Sequence, residues 1–576
     1  MSSEIISKST NLSSPRLLGG WLNVPVFLFV MLLGACIIFA QLGKFPLFNP
    51  DEALYAEPAR EMLEIKEYVT TYLNYVVRFT KPPLVIWAMA LCYQVFGVNE
   101  FAARFFGAGL GLLLVGVTYL AASRYLSTTA AFLAAASLIT APLYLGTARE
   151  AITDMPLAFF MAGAQLAFFH AFESGKKRFA YLAWALVGLS VMTKGPVGIV
   201  LPLGILFCYH LLRGDIKRAW KAYCPIGGLL LTGLISLPWF IVEIYVTKGA
   251  YFQEFIMREN FQRFTAVVDA HKQPFWYHMA AMIVGYLPFS VFIPGLIASG
   301  VKVVREFLKG MEKKGPIWPE LARLRSICAS FSSVPALMLY CTLWTVLTVG
   351  FFSISVSKLL PYTLPAFPAL ALLVANYLDN AVKGNKFFRL SWPMFFLVVL
   401  FCGAGGLAPF ICSKLRDAPE GLQSLIVGYA AFSASAVLVS LAVMRFNQLR
   451  NGLVCFTLTS ALGLSFYALR ILPVVSDKWE GGLPTLSALA GASQLPIIVF
   501  DMRKPGVPFY ALRRVENIND INVLQSRLAA LGEAYILTKV KRQDVLTSLP
   551  GIKVISSQGS FTLLRYGKVT SNEITN

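Results

Sequence analysis

Runs of about 20 apolar residues recur along most of this chain of 576 residues, and they limit its fold more than any other feature. Each run is long enough to cross the hydrocarbon core of a bilayer as a helix. Only 14% of the residues are charged, against about 25% in an ordinary soluble domain. The sequence therefore predicts an all-α polytopic membrane protein.

Thirteen apolar segments are predicted to span the membrane. They lie at residues 22–42, 105–122, 128–145, 154–171, 178–192, 196–212, 222–246, 277–300, 333–353, 361–379, 390–412, 424–444 and 452–472. The first segment is not interpreted as a cleaved signal peptide, because its apolar run is too long and no A-x-A-like site follows it. Residues 22–472 are therefore predicted to form one transmembrane domain.

One further apolar segment, residues 82–97, is predicted to lie at the membrane interface, because it is short and begins with two prolines. The charge pattern supports this choice. With a cytoplasmic N-terminal tail, residues 1–21, the basic loops all face the cytoplasm, as positive-inside topology requires. Those loops are residues 173–179, 213–221, 302–325, 380–389 and 445–450. Residues 43–104 then form a large outer loop.

The net charge of +20 resides largely in these short loops, so we reject a nucleic-acid-binding function. The nine cysteines are spread along the chain without a C-x-x-C pair. This pattern is typical of free thiols in apolar surroundings.

Residues 473–576 are predicted to form a small extracytoplasmic α/β domain with a structural or substrate-capping role. An amphipathic pattern over 520–532 predicts a helix that ends at Gly532. Four apolar stretches predict short strands, at 496–501, 534–539, 552–556 and 560–566.

Ionisable residues gather near the outer ends of the predicted spans, in six separate loops. They are Asp51, Glu52, Lys81, Arg149, Glu150, Asp154, Lys194, Arg258, Glu259, Arg263, His271 and Lys358. A single such residue is ordinarily a solvated loop residue, but six loops at one depth indicate a site at the headgroup level. There a carboxylate can act as a general base, and Lys and Arg can bind a phosphate as it departs.

Several motifs carry a resemblance to a known family, and they occur in the family's order. They are residues 49–64, 79–97, 101–105, 148–160, 192–202, 258–264, 274–278 and 351–373. Together they resemble the GT-C membrane glycosyltransferases, and most closely the branch that transfers 4-amino-4-deoxy-L-arabinose to lipid A, which is related to the protein O-mannosyltransferases. The resemblance extends from about residue 20 to 380 and implies a GT-C fold.

The resemblance implies a polyprenyl-phosphate-linked sugar donor and a lipid A-like or other extracytoplasmic acceptor at the outer side of the inner (plasma) membrane. It implies transfer with inversion. Asp51 and Asp154 map to catalytic positions, and Lys81 maps to a contact with the donor phosphate. The other predicted substrate contacts are Glu52, Tyr55, Arg60, Arg149, Lys194, Arg263, His271 and Lys358. We expect Asp51 to be the base, and Glu52 to orient loop backbone or a lysine.

Two residues depart from the family pattern. Leu54 stands where the family often has an arginine, so Arg149 or Arg60 is a candidate substitute. Thr80 stands where some members have an acidic metal ligand. No structural zinc is predicted, because His271 alone cannot form a site that needs three or four ligands. No cofactor is firmly predicted, and help from a divalent metal through Asp51, Asp154 or His271 is left open.

Other functions were weighed against a glycosyltransferase. A flippase or transporter of lipid-linked sugar would place charges at mid-membrane and show internal repeats, and no repeat is evident. A non-catalytic scaffold gives no reason for the loops to converge. Among acceptors, lipid A, another lipid, protein Ser or Thr and a glycan stay open, as does the identity of the sugar. We expect a monomer with membrane lipids as neighbours.

Overall fold

The computed structural model describes residues 22–262, 273–312, 335–414, 419–446 and 448–567, and most of these residues are helical. The helices of the first half are α1 (Val24–Phe39), α2 (Ala53–Ile65), α3 (Leu84–Phe96), α4 (Glu100–Tyr125), α5 (Thr128–Ile139), α6 (Pro142–Ala148), α7 (Asp154–Ser174), α8 (Lys177–Lys194), α9 (Val197–Arg213), α10 (Ile216–Tyr223) and α11 (Pro225–Val246). A two-stranded hairpin, β1 (Tyr72–Leu73) and β2 (Val76–Val77), lies between α2 and α3.

The later helical elements follow in the same way. They are a π-helix (Phe252–Gln262), α12 (Tyr277–Gly285), a 3₁₀ turn (Phe289–Phe292), α13 (Ile293–Glu312), α14 (Ala336–Ile354), a 3₁₀ turn (Leu360–Ala366), α15 (Phe367–Lys383), α16 (Phe387–Lys414), α17 (Leu422–Phe446), α18 (Leu449–Phe466), a π-helical turn (Tyr467–Ile471) and α19 (Leu472–Glu480).

Each of the thirteen predicted segments coincides with a helix or a bent pair of helices. Within the described residues, eight helices are long and apolar enough to cross a membrane, and ten if each of two bent pairs counts as one span. The chain is therefore a multi-pass membrane protein, and the number of thirteen spans stays a prediction. Helix α3 has 13 residues, about 20 Å, so it is too short to cross a core of about 30 Å.

One of the two bent helix pairs leads the chain to the outer loop. Helices α5 and α6 meet at 64°, where Pro142 starts the second helix. Pro142 has no N–H to continue the first helix, so the break falls directly before it. Helix α6 ends at Ala148, and the short connection 149–153 then leads to α7. This bend places Arg149, Glu150 and Asp154 close to the outer loop.

A five-stranded sheet forms most of the C-terminal part, with the strand order β4-β3-β5-β7-β6. The elements of this C-terminal part are α20 (Leu483–Gly491), β3 (Ile497–Phe500), α21 (Gly506–Ala511), β4 (Glu516–Ile518), α22 (Ile521–Leu531), β5 (Ala534–Lys539), α23 (Gln543–Thr547), β6 (Ile552–Gln558) and β7 (Phe561–Tyr566). Strand β3 is parallel to β4 and β5, whereas β7 is antiparallel to β5 and β6.

Side chains of the central strands alternate between two apolar layers, as the period of two in a strand requires. Ile497 and Val499 pack with α20 and α21 on one face. Ile498 and Phe500 pack with α22 on the other. The four predicted strands and the predicted helix are present, and β4 is an additional strand.

The C-terminal unit, residues 483–567, packs onto the outer loop. Phe509 of α21 is buried among residues of α2, α3 and α4, including Ala56, Met89 and Tyr93. The helical segment before the unit, Leu449–Glu480, runs on past the predicted boundary at 473. The boundary itself, and the outer location of this unit, stay predictions.

Candidate functional site

A cavity of about 460 Å³ opens where the outer loop meets the ends of several helices. Its walls combine two lysines and a carboxylate with apolar side chains. The lining residues are Lys81, Lys194, Pro196, Val197, Val200, Ile256, Glu259, Asn260, Phe261, Phe351, Phe352, Ser355, Ser357 and Tyr362. The cavity therefore offers cations at one level and an apolar surface beside them.

Lys194 is the last residue of α8, where a cation is favoured by the partial negative charge of a helix C-terminus. Its Nζ lies 2.6 Å from Oδ1 of Asp154 and 4.4 Å from the ring centroid of Tyr362. Both side chains of the ion pair are 14% exposed. Gly195 ends the helix with φ +83°, and a Cβ there would lie 2.7 Å from Phe255. The predicted neighbourhood of Asp154 and Lys194 is thus present.

Lys81 enters the same cavity from the chain before α3. Its Nζ lies 3.4 Å from Oε2 of Glu259, and both side chains are largely buried. Two prolines follow Lys81, and their fixed φ angles limit the directions in which the chain can leave. Glu259 belongs to the π-helix (Phe252–Gln262), so the Lys81 ion pair joins the outer loop to this helix.

Arg78 is a cation that the sequence did not single out. Its guanidinium lies 5.3 Å from the ring centroid of Tyr55 and donates to the carbonyl of Leu54. It therefore stands at the backbone of the very residue where the family often has an arginine. Burial raises the pKa of Tyr55, with opposing contributions from the nearby Arg78 and Lys194 and a supporting one from Asp154. Arg78 directly follows β2 of the short hairpin, and nothing in the sequence pattern there indicates a functional site.

Asp51 and Glu150 do not line the cavity, but they lie close enough for Asp51 to affect the pKa of Glu150. Asp51 is exposed and lies two residues before Ala53, the first residue of α2, and negative charge is favoured near a helix N-terminus. Burial raises the pKa of Glu150 to about 8, and the carboxylates of Glu52, Asp154 and Asp51 add to that shift. Glu150 is one of the ionisable residues near the outer span ends, but it was not predicted to contact a substrate.

Glu52 is not among the residues that line the cavity, and its predicted substrate contact stays a prediction. Its side chain is fully buried. Oε1 accepts from Nε of Arg104 and from the N–H of Ala151, each at 2.8 Å. Oε2 accepts from Nη2 of Arg104 at 2.7 Å and from the N–H of Phe48 at 2.8 Å. Glu52 thus orients loop backbone, which is one of the two roles expected of it. Its side-chain partner is an arginine and not the lysine of the other expected role.

Neither Arg149 nor Arg60 supplies the guanidinium expected near Leu54. Arg149 is buried, and its Nη1 donates to the carbonyls of Ile37 and Ile38 at the end of α1. Arg60 forms a buried ion pair with Glu57 at 2.8 Å. Both arginines contact protein groups in this way, and their predicted substrate contacts stay predictions.

Lys358 is 6% exposed and donates to the carbonyl of Ser355, so it closes the turn after α14. Its predicted substrate contact stays a prediction, and its neighbours Ser355 and Ser357 line the cavity. Arg263 and His271 lie outside the described residues. Within the described residues, no three His, Cys, Asp or Glu side chains are grouped to hold a metal ion.

The chain was compared with known proteins. The family model described as dolichyl-phosphate-mannose-protein mannosyltransferase matches residues 80–242. An uncharacterized protein from Aquifex aeolicus is 30% identical over 74% of this chain and 80% of its own length. An undecaprenyl phosphate-alpha-4-amino-4-deoxy-L-arabinose arabinosyl transferase from Pectobacterium atrosepticum is 27% identical over 81% of this chain and 76% of its own.

The solved structures support the same fold. The crystal structure of ArnT from Cupriavidus metallidurans bound to undecaprenyl phosphate has a TM-score of 0.76 and 22% identity, and it covers 95% of this chain and 98% of that one. The apo state of the same protein gives a TM-score of 0.73. The ordered motifs, the charged cavity and these relatives agree, and the chain belongs to the GT-C family of membrane glycosyltransferases.

Proposed function

We propose that this protein transfers a sugar from a polyprenyl-phosphate-linked donor to a lipid A-like acceptor at the outer face of the inner membrane. The observation that carries the proposal is the cavity in which Lys81 and Lys194 stand beside apolar walls. A lipid phosphate joins an anionic head to a prenyl chain. The cavity offers surfaces of both kinds at adjoining positions.

The donor phosphate would bind between the two lysines. Each lysine now pairs with a carboxylate, Lys81 with Glu259 and Lys194 with Asp154. These pairs keep the ammonium groups in place without a ligand, and a phosphate can add to them through charge-assisted hydrogen bonds. Val197, Val200 and Phe352 would contact the first prenyl units.

The reaction is a substitution at the anomeric carbon of the sugar. An acceptor oxygen forms the new bond to this carbon while the bond from the carbon to the donor phosphate oxygen breaks. Polyprenyl phosphate leaves with the electron pair, and the lysines stabilise its added charge. Asp51 removes the proton of the acceptor as general base. Attack opposite the leaving group gives inversion.

Asp154 has a role that follows from its contact. Its carboxylate fixes the ammonium of Lys194 at 2.6 Å, so it acts on the donor phosphate through this lysine. Asp51 is then the residue that meets the acceptor. This divides the two predicted catalytic carboxylates between the two substrates.

The sugar is proposed to carry a basic amine. The relatives are named for a 4-amino-4-deoxy-L-arabinose donor. In this chain the carboxylates of Asp51 and Asp154 lie close enough to Glu150 to raise its pKa. Such a group favours a cationic sugar substituent over a neutral one. The proposal also includes a cytoplasmic N-terminus, an outer C-terminal unit and a monomer.

The test is transfer by the purified chain in nanodiscs. It is incubated with a panel of polyprenyl-phosphate sugars and a total lipid extract, and released polyprenyl phosphate is followed by mass spectrometry. We expect release together with one lipid that gains the mass of the sugar. Asp51→Asn should abolish release, whereas Asp544→Asn, a change at an exposed carboxylate of α23, should not. Movement of lipid-linked sugar across a proteoliposome bilayer without release would replace the transferase with a flippase.

A further inference from the structure

Asp51 lies between two neighbours that are anchored to different parts of the molecule. On one side Glu52 is tied to α4 through Arg104. On the other side the amide of Asn49 is tied to the C-terminal region. Its Oδ1 accepts from the N–H of Gly506 at 2.7 Å, and its Nδ2 donates to Oε2 of Glu480 at 3.1 Å. The carboxylate of Asp51 therefore stands on a segment held at both ends.

The partners of Asn49 are themselves fixed. Glu480 is 4% exposed and ends α19, and its Oε1 accepts from Nζ of Lys504 at 2.6 Å. Gly506 begins α21, where a Cβ would lie 2.8 Å from both polar atoms of the Asn49 amide. No larger residue fits there without moving the amide. The contact is thus a close-packed joint and not a loose surface bridge.

A second asparagine joins the same two parts of the molecule elsewhere. Nδ2 of Asn74 donates to the carbonyl of Val515 at 2.7 Å, and Oδ1 accepts from the N–H of Val515 at 2.9 Å. Asn74 lies in the turn between β1 and β2, and it does not adjoin Asp51 in the chain. The two asparagines each make two hydrogen bonds to the C-terminal region, but only Asn49 lies two residues before Asp51.

We infer that Asn49 is a positioning residue for transfer, through which Gly506 and Glu480 set the place of the Asp51 carboxylate. The inference rests on the proposed function, which makes Asp51 the base. A base must meet the acceptor proton at hydrogen-bond distance, and a misplacement of about 1 Å can cost about 100-fold in rate. The C-terminal unit is then part of the catalytic apparatus.

The experiment compares Asn49→Ala with Asn74→Ala in the full chain, in nanodiscs. Each variant removes two hydrogen bonds to the C-terminal region, so we expect similar shifts of the unfolding temperature. Only Asn49→Ala should lower kcat, by about 10- to 100-fold, with the KM for the lipid-linked donor unchanged. An equal loss of kcat in both variants, or no loss in Asn49→Ala, would overturn the inference.

An exchange of charge tests the same contact if Asn49→Ala does not fold. Asn49→Asp places a second carboxylate against Glu480 and should lower kcat as strongly. In Asn49→Asp with Glu480→Gln, the amide of the new glutamine can donate to the new aspartate, and the net charge is unchanged. We expect this double variant to recover kcat at least fivefold over Asn49→Asp. Absence of recovery would overturn the inference.

The two proposals fail in different ways. If the wild-type chain releases no polyprenyl phosphate from any donor, the proposed function fails and the inference falls with it. If the wild-type chain turns over and Asp51→Asn does not, while Asn49→Ala behaves like Asn74→Ala, the transferase stands and only the positioning role is lost.

Discussion

Two acid–base pairs of this protein lie close together and differ in what surrounds them. Arg104 and Glu52 are 2.7 Å apart and almost fully buried, with every Glu52 oxygen accepting two hydrogen bonds. Lys194 and Asp154 are 2.6 Å apart but border a cavity. The first pair has its hydrogen bonds satisfied by protein and holds loops together. The second has room beside it for a ligand, so the difference lies in the surroundings and not in the residue types.

The largest effect should come from breaking the buried pair. Glu52→Ala leaves the guanidinium of Arg104 buried without its counter-ion, which should cost about 3–5 kcal/mol of unfolding free energy. Thermal unfolding in detergent measures it. Arg104→Ala should be similarly costly, because it strands the carboxylate. A Glu52→Ala protein with wild-type stability and reduced donor binding would mean that Glu52 is a substrate contact after all.

Lys194→Ala should separate activity from stability in the opposite way. The lysine is proposed to stabilise charge on the leaving phosphate, so we expect turnover to fall about 100- to 1000-fold while the protein still folds. Release of polyprenyl phosphate is the measurement. Unchanged turnover would remove Lys194 from the phosphate site and make its ion pair a structural one like that of Arg104 and Glu52.

Glu150 should sharpen the comparison through pH. Its pKa is raised from 4.5 to about 8, so the folded protein keeps a proton that the unfolded chain loses above 4.5. The unfolding free energy should therefore fall as the pH rises from about 4.5 to about 8, and then level off. Above pH 8 the new negative charge should also raise the KM for the anionic donor.

Glu150→Gln is the check on this pH dependence, because it keeps the side chain neutral throughout. The fall in stability and the rise in donor KM should both become smaller in the variant. Identical pH profiles for the two proteins would assign the dependence to another group.

The smallest effect is expected at an ion pair of the same type whose lysine is exposed to solvent. Lys383 and Asp379 are also 2.6 Å apart, and the lysine is 62% exposed although the aspartate is 7% exposed. Lys383→Ala should change the unfolding free energy by about 0.5 kcal/mol or less and leave turnover unchanged. It is thus a matched control for Lys194→Ala. A large loss of unfolding free energy or of turnover in Lys383→Ala would show that the geometry of an ion pair matters more than its surroundings.

The helices and strands could be predicted because each depends on local pattern. Long apolar runs predicted the bundle segments, and short apolar stretches predicted strands such as β5. Lys81, Asp154 and Lys194 could be placed near one another because each adjoins a span end on the same predicted side. Depth and residue type were sufficient for these three.

The direction of a side chain could not be predicted from depth and type. Glu52, Arg149 and Lys358 lie at the expected level but turn inward to backbone groups, since buried carbonyls and N–H groups need partners. Arg78 and Tyr362 were not among the predicted site residues. Only the tertiary fold brings the hairpin over Tyr55 and the 3₁₀ turn under Lys194.

The helical segment that ends at Glu480 connects the helical bundle to Asn49. It runs for 32 residues from Leu449, about 48 Å if straight, and the hydrocarbon core is only about 30 Å thick. The segment is therefore longer than the core is thick, and it ends at Glu480, whose carboxylate accepts from the amide of Asn49. Under the proposed function, this one segment links the bilayer to the loop that carries Asp51, the base of the reaction.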